Sequence, residues 1–147
     1  MLVREAMTRD VKTVAPETTI REAARLMGEC DVGVLPVSSG ARLVGMVTDR
    51  DIAVRAVAIG RGPDTPVSEV MTLEVLYCHE DEDIGHIAVN MAENQVRRLP
   101  VVDVDKRLIG IISLADVADA RTDEAGEALE GITRPGGERS QSIEGRA

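Results

Sequence analysis

A chain that repeats itself must bury the same apolar faces twice, so an internal repeat restricts its fold more than any local pattern does. Displaced by 64 positions, Val3-Arg4-Glu5-Ala6-Met7-Thr8 falls on Val67-Ser68-Glu69-Val70-Met71-Thr72. The same displacement carries Ile20 onto Ile84, Ala24 onto Ala88, Met27 onto Met91, and Leu35-Pro36-Val37 onto Leu99-Pro100-Val101. One extra residue near Lys106 then aligns Gly45, Asp51 and Ala53 with Gly110, Asp116 and Ala118. From Val3 to Ala53, 18 of 51 aligned positions are identical, far beyond chance, so the chain is a duplication.

Both copies read as strand, helix, strand, strand, helix. A short strand is expected at Val11–Val14, and again at Val75–Cys78. Thr19 then caps a helix whose Ile20, Ala23, Ala24 and Met27 keep the i, i+3, i+4, i+7 spacing of one buried face. Asp83 takes the cap position in the second copy, ahead of Ile84, Ile87, Ala88 and Met91. β-branched runs follow at Val32–Val37 and Leu43–Thr48, joined by Ser38-Ser39-Gly40. Their counterparts are Val96–Val102 and Leu108–Ser113, joined through Asp103-Val104-Asp105-Lys106. Second helices begin near Asp49 and Leu114; the first is expected to run Ile52–Ile59 with Ile52, Ala53 and Ala56 facing inward. The fold class is therefore α/β (α+β), two β-α-β-β-α repeats, each a small sheet covered by two helices. Repeat 1 spans 2–59 and repeat 2 spans 67–120, with a breaker-rich linker at 60–66. Residues 121–147, rich in glycine and charge, are expected to form a flexible tail, and Ile143-Glu144-Gly145-Arg146 matches an engineered protease-recognition sequence.

Composition removes several functions. The 147 residues carry a net charge of −9 and a single aromatic side chain, Tyr77. Nucleic-acid binding calls for basic stripes and stacking platforms, and neither is present. The charge is uneven: residues 1–64 are neutral, 65–118 carry −6 and 119–147 carry −3. With no apolar run near the ~20 residues that span a bilayer and no signal-peptide pattern at the N-terminus, a soluble cytoplasmic protein without a membrane partner is expected. Cys30 and Cys78 are too few for a disulfide scaffold, and a bridge between them fits a reducing compartment poorly.

The strongest chemical signal occurs twice at the strand-to-helix junction. Gly45-Met46-Val47-Thr48-Asp49-Arg50-Asp51 and Gly110-Ile111-Ile112-Ser113-Leu114-Ala115-Asp116 share Gly-x-x-[Thr/Ser]-x-x-Asp. A hydroxyl beside helix N-terminal amides suits a phosphate or sugar, and a carboxylate three residues on can accept both hydrogens of a ribose diol. The same spacing is also that of a capping box, with Thr48 or Ser113 as N-cap and Asp51 or Asp116 closing it. Spacing alone leaves both readings open.

These motifs, with Met7-Thr8 and Met71-Thr72 at the repeat starts and Leu35-Pro36-Val37 and Leu99-Pro100-Val101 mid-strand, resemble a tandem pair of cystathionine β-synthase (CBS) domains, the Bateman module, over residues 2–120. Thr48-Asp49-Arg50-Asp51-Ile52 and the length resemble small bacterial CBS-pair proteins of the hypoxic-response type. The resemblance implies pseudo-two-fold packing of the repeats, with clefts that take AMP, ADP, ATP, NAD or S-adenosylmethionine. It implies that Asp51 and Asp116 hold ribose hydroxyls and that Thr48 and Ser113 touch phosphate or ribose. It pairs Thr48 and Asp51 with Leu76, Tyr77, Val96, Arg97 and Arg98, and Ser113 and Asp116 with Thr13, Val32, Gly33 and Val34. Only the first group holds two guanidiniums for a phosphate, so tighter, more salt-sensitive binding is expected there.

The remaining candidates are better explained without a ligand. His79 and His86 read as solvated histidines, Glu80-Asp81-Glu82-Asp83 as a helix-capping turn, and Asp103 and Asp105 as turn residues. There is no nucleophile–base constellation, no metal-ligand spacing and no NTPase-type glycine loop. The expected function is a non-catalytic sensor of an adenine nucleotide or adenosyl ligand with no required cofactor, a homodimer acting on a regulated enzyme or transporter. The alternative is a ligand-free interaction or dimerisation module.

Overall fold

The computed structural model describes residues 1–120. The readings made of residues 121–147, the tail and the protease-recognition sequence at 143–146, lie outside the described residues. The elements in chain order are α1 (Val3–Ala6), α2 (Ile20–Cys30), β1 (Val34–Ser39), β2 (Arg42–Thr48), α3 (Asp49–Arg55), β3 (Cys78–His79), α4 (Ile84–Asn94), β4 (Arg98–Val102), β5 (Leu108–Ser113) and α5 (Leu114–Ala120). Single 3₁₀ turns occupy Val57–Ile59 and Val67–Glu69. Two β-α-β-β-α repeats are thus present, each with a small sheet and flanking helices.

The helix starts follow their caps. The Thr19 hydroxyl accepts from the Glu22 N–H at 3.2 Å, and the Asp83 carboxylate accepts from the Gly85 N–H at 2.7 Å. Both long helices stop at a residue in the left-handed region, Asp31 (φ 53°) and Gln95 (φ 54°). α2 buries Ile20, Ala23 and Met27 but leaves Ala24 exposed, whereas α4 buries all four of Ile84, Ile87, Ala88 and Met91.

Three expectations are corrected. The opening strand of each copy is much shorter than read: Val14 makes one parallel bridge to Val37, and β3 pairs only Cys78 and His79 with Val101 and Val102. Val14 and Cys78 are nonetheless buried, so each opening segment still contributes a side chain to its core. The hairpin turn is Gly40-Ala41, because Ser38 and Ser39 still pair with Leu43 and Arg42 beyond a bulge at Val37/Ser38, and Gly40 takes the positive φ of 61° that the turn needs. The helix expected at Ile52–Ile59 is α3, ending at Arg55. Ala56 leaves helical geometry (φ −126°, ψ −70°) and is buried, Ile52 is half-buried, and Ala53 faces solvent.

Compact units and sequence repeats turn out to be different objects. Among the described residues, one unit comprises Lys12–Val75 with Asp105–Leu108; the other comprises Met1–Val11, Leu76–Val104 and 109–120. They are named here the first-repeat and second-repeat units after the helices they contain. The opening segment of each repeat is therefore built into the core of the other repeat's unit. Val3 and Met7 join Ile84, Ile87, Met91, Leu99 and Ile112 in one core. Val67 and Val70 join Val14, Ile20, Leu35 and Val47 in the other. Burying each such side chain contributes about 1.5–3 kcal/mol, so the opening segments are structural members of the units they enter.

Backbone bonds fix these segments. Thr8 and Ile111 exchange N–H···O bonds of 2.9 and 2.9 Å; Thr72 and Met46 exchange bonds of 2.8 and 3.0 Å. The acidic turn receives the start of α1, with the Glu82 and Glu80 carbonyls accepting from the Val3 and Arg4 N–H groups. Among the described residues, no helix is long and apolar enough to cross a membrane.

Candidate functional site

β2 ends at Thr48 and β5 ends at Ser113, and at each point the chain turns directly into a seven-residue helix. The two corners have the same bonding. Thr48 N–H donates to Asp51 Oδ2 (2.9 Å) and Asp51 N–H donates to Thr48 Oγ1 (3.0 Å). Ser113 N–H donates to Asp116 Oδ2 (2.8 Å) and Asp116 N–H donates to Ser113 Oγ (3.1 Å). The capping box is thus real in both copies. It does not exhaust the carboxylates, since each ionised oxygen has more than one acceptor site. What it does is hold each hydroxyl and carboxylate in one orientation, as recognition of a diol requires.

Strand pairing brings further predicted residues to each corner. In the first-repeat unit Val34 pairs with Thr48, and Asp49 N–H donates to the Gly33 carbonyl at 3.0 Å. A Cβ on Gly33 would lie 3.0 Å from Asp49 Oδ2, so the missing side chain leaves room for that carboxylate. In the second-repeat unit Leu114 N–H donates to the Arg97 carbonyl at 2.8 Å. There the aligned pair is Arg97 and Leu114, joined through the Arg97 backbone, while the Arg97 and Arg98 side chains are exposed.

Charge also differs behind the two carboxylates. The Asp51 side chain is only 13% exposed, and its Oδ1 lies 3.8 Å from Arg55 Nε. The position equivalent to Arg55 is Ala120, and Asp116 lines a cavity of about 270 Å³ with Met1, Glu5, Ala6, Asp119 and Ala120.

Of the other predicted residues, Val32 and Val96 are partly buried against their own cores, as is Leu76. Tyr77 is 39% exposed, with its ring edge-on to His79 at a centroid distance of 5.7 Å. Thr13 lines a cavity of about 430 Å³ in the first-repeat unit with Ser38, Gly40 and the Glu22, Arg25 and Glu29 side of α2.

Both cysteines are free. Burial pushes the Cys78 thiol up to about 12, with the Glu82 charge adding to the effect. His86 Nε2 lies 3.8 Å from Glu82 Oε1, and the other Glu82 oxygen accepts from the His79 backbone N–H at 2.6 Å. Among the described residues, no group of three or more His, Cys, Asp or Glu side chains is placed to hold a metal ion.

Sequence reasoning missed what the motif glycines do. A Cβ on Gly110 would meet Met7 Sδ at 2.6 Å and the Thr8 carbonyl at 2.9 Å; on Gly45 it would meet Met71 Sδ at 2.9 Å and the Thr72 carbonyl at 3.0 Å. Each Gly-x-x-[Thr/Ser]-x-x-Asp motif therefore has a clasp end, where glycine admits a Met-Thr pair, as well as its hydroxyl–carboxylate end. The signal was visible: Met-Thr and Gly recur together in both copies.

Comparison with known proteins agrees with this architecture. The model of the CBS domain family matches residues 3–57 and 67–123. The CBS domain-containing protein YhcV of Bacillus subtilis is 44% identical over 133 residues, covering 89% of this chain and 94% of its own. A crystal structure of Hypoxic Response Protein I with two coordinated zinc ions superposes with a TM-score of 0.73 at 36% identity, covering 81% of this chain and 98% of that one. A crystal structure of CBSX2 in complex with AMP gives 0.74 at 31% identity, covering 83% and 96%.

Proposed function

The chain belongs to the CBS-domain family, and on that premise we propose that it is a non-catalytic regulatory module of the cytoplasm whose strand-to-helix corners bind an adenosyl ligand, with AMP the leading candidate. The observation that carries this reading is the doubled corner: two hydroxyl–carboxylate pairs, Thr48/Asp51 and Ser113/Asp116, held at matching hydrogen-bond distances by independent copies of the motif. Asp51 and Asp116 accept the ribose hydroxyls. Thr48 and Ser113 contact ribose or phosphate, and Arg97 and Arg98 supply charge for the phosphate. Leu76, Tyr77, Val96, Thr13, Val32, Gly33 and Val34 complete the ligand surfaces. The AMP complex of the related CBSX2 supports the ligand class. Zinc, held by the related Hypoxic Response Protein I, is the less favoured ligand given the donor groups described above.

Calorimetric titration of AMP, ADP, ATP, NAD and S-adenosylmethionine against wild type, Asp51→Asn and Asp116→Asn tests the reading. Asparagine keeps an acceptor for the cap while removing the charge, so a folded variant is expected. Each substitution is expected to weaken binding at its own corner by ~1.5–3 kcal/mol, roughly ten- to a hundredfold. Heat unchanged in both variants contradicts the assignment.

A second reading, a ligand-free dimerisation module, is favoured by Val54, Val57 and Ile59, which are 48%, 68% and 64% exposed around the end of α3. Silence with all five ligands, together with a dimer that Val57→Lys dissociates in sedimentation equilibrium, selects it.

A further inference from the structure

Resting on the nucleotide reading above, we infer that Arg55 couples occupancy of the Asp51 corner to the backbone segment Val67–Thr72, so that ligand binding loosens the clasp that repeat 2 contributes to the first-repeat unit. One guanidinium touches both ends of this path. Its Nε lies 3.8 Å from Asp51 Oδ1, and its Nη1 donates to the Val70 carbonyl at 3.3 Å. Val70 is fully buried in the core that the segment seals, and Met71 beside it packs on Gly45 of the same motif. The neighbouring carbonyl, that of Glu69, accepts from Arg61 Nη1 at 3.2 Å. Arg55 of repeat 1 and Arg61 of the linker therefore hold two successive carbonyls of the segment that opens repeat 2.

Arginine suits this position because its planar fork presents donors in different directions from one rigid group. The Asp51 contact is an ion pair at 3.8 Å rather than a short hydrogen bond, so a ribose hydroxyl donating to Oδ1 draws on the same negative charge and weakens its pull on Arg55. Drawn away from Asp51, the half-exposed Arg55 side chain regains rotamer freedom and holds Val70 less of the time. Among the described residues, the sister unit shows no such contact. Ala120 stands at the position of Arg55, and among the described residues the guanidinium that donates to a carbonyl of α1 is that of Arg9, which bonds the Arg4 carbonyl in the same stretch of chain. Of two corners with matching caps, the Asp51 corner is the one that the described residues wire to a clasp.

Backbone hydrogen exchange of Val70, Met71 and Thr72 in the full chain, measured with and without AMP alongside calorimetry, tests the coupling. Saturating AMP is expected to speed exchange at these amides by roughly two- to fivefold, the range that loss of one exposed charged contact supplies. Arg55→Ala is expected to show the raised rate without ligand, to bind AMP, and to give no further response. Arg55→Lys, which keeps the charge but not the fork, is expected to behave as the alanine variant does. AMP binding with unchanged exchange in wild type, or an equal AMP response in Arg55→Ala, overturns the coupling alone. Absence of AMP binding to wild type overturns the nucleotide reading and the coupling with it.

Discussion

The second-repeat unit is a tighter copy of the first-repeat unit. On α4, Ile84, Ile87, Ala88 and Met91 are fully buried; on α2, the aligned stripe is Ile20, Ala23, an exposed Ala24 and a slightly exposed Met27. Where Ile87 fills its core, the sister helix has Ala23, and Gly110 is pressed harder by its methionine than Gly45. The first-repeat unit spends the same framework on polar features: a 430 Å³ cavity, the buried Ser38 where the other has Val102, and the Asp51–Arg55–Val70 path. At these positions the first-repeat unit keeps polar groups where the second-repeat unit keeps apolar packing.

The largest effect that could break this comparison is in the α4 stripe. Ile87→Ala, which gives the second-repeat unit its sister's residue, is expected to cost about 2–5 kcal/mol in denaturant unfolding. A cost below ~1 kcal/mol would mean that the packing difference has no energetic content. Gly110→Ala should come next, at ~1–3 kcal/mol, because the added Cβ meets the Thr8 carbonyl as well as a flexible methionine end. Gly45→Ala should cost less, and the reverse order in thermal melts would sink the claim of a tighter clasp.

Cys78 provides a pH-dependent contrast with its aligned residue, Val14. The buried thiol titrates near 12 against an ordinary 9.0, so between those values the unfolded chain loses a proton that the folded chain keeps. Stability should therefore fall with rising pH across that window, by up to ~1.4 kcal/mol per pH unit relative to Cys78→Val. Parallel stability–pH curves for the two proteins would contradict the burial of the thiol. The smallest expected effect sharpens the asymmetry of charge. Replacing both arginines, Arg97→Ala with Arg98→Ala, is expected to weaken AMP binding by at least ~0.5 kcal/mol at low salt and to flatten its salt dependence in calorimetry. An unchanged salt dependence would remove the arginines from the phosphate.

Much of this was legible because its causes are local. Thr19 and Asp83 precede apolar stripes of helical period, and both cap as read. The Thr48/Asp51 and Ser113/Asp116 boxes form because three-residue spacing suffices to close them. Less legible were the edges. Val11–Val14 looks like a strand from its valines, yet its pairing depends on a partner strand far along the chain, and only Val14 bridges. Ala53 looks like an inner-face residue, yet α3 is only seven residues long and leaves it exposed. Arg55 carries no mark of its role, because nothing among its sequence neighbours announces Val70.

The sequence by itself determined that there are two copies of one β-α-β-β-α plan, where their helices begin, and that a hydroxyl and a carboxylate meet at each strand-to-helix corner. These follow from periodicity and short-range hydrogen bonding, which are written in adjacent residues. Only the tertiary structure decided that Val3 and Met7 belong with α4 and α5, and Val67 and Met71 with α2 and α3. The two opening segments carry almost the same residues, so their own pattern suits either core. The choice is made by long-range burial and by carbonyls, those of Ile111 and Met46, that lie tens of residues away in the chain.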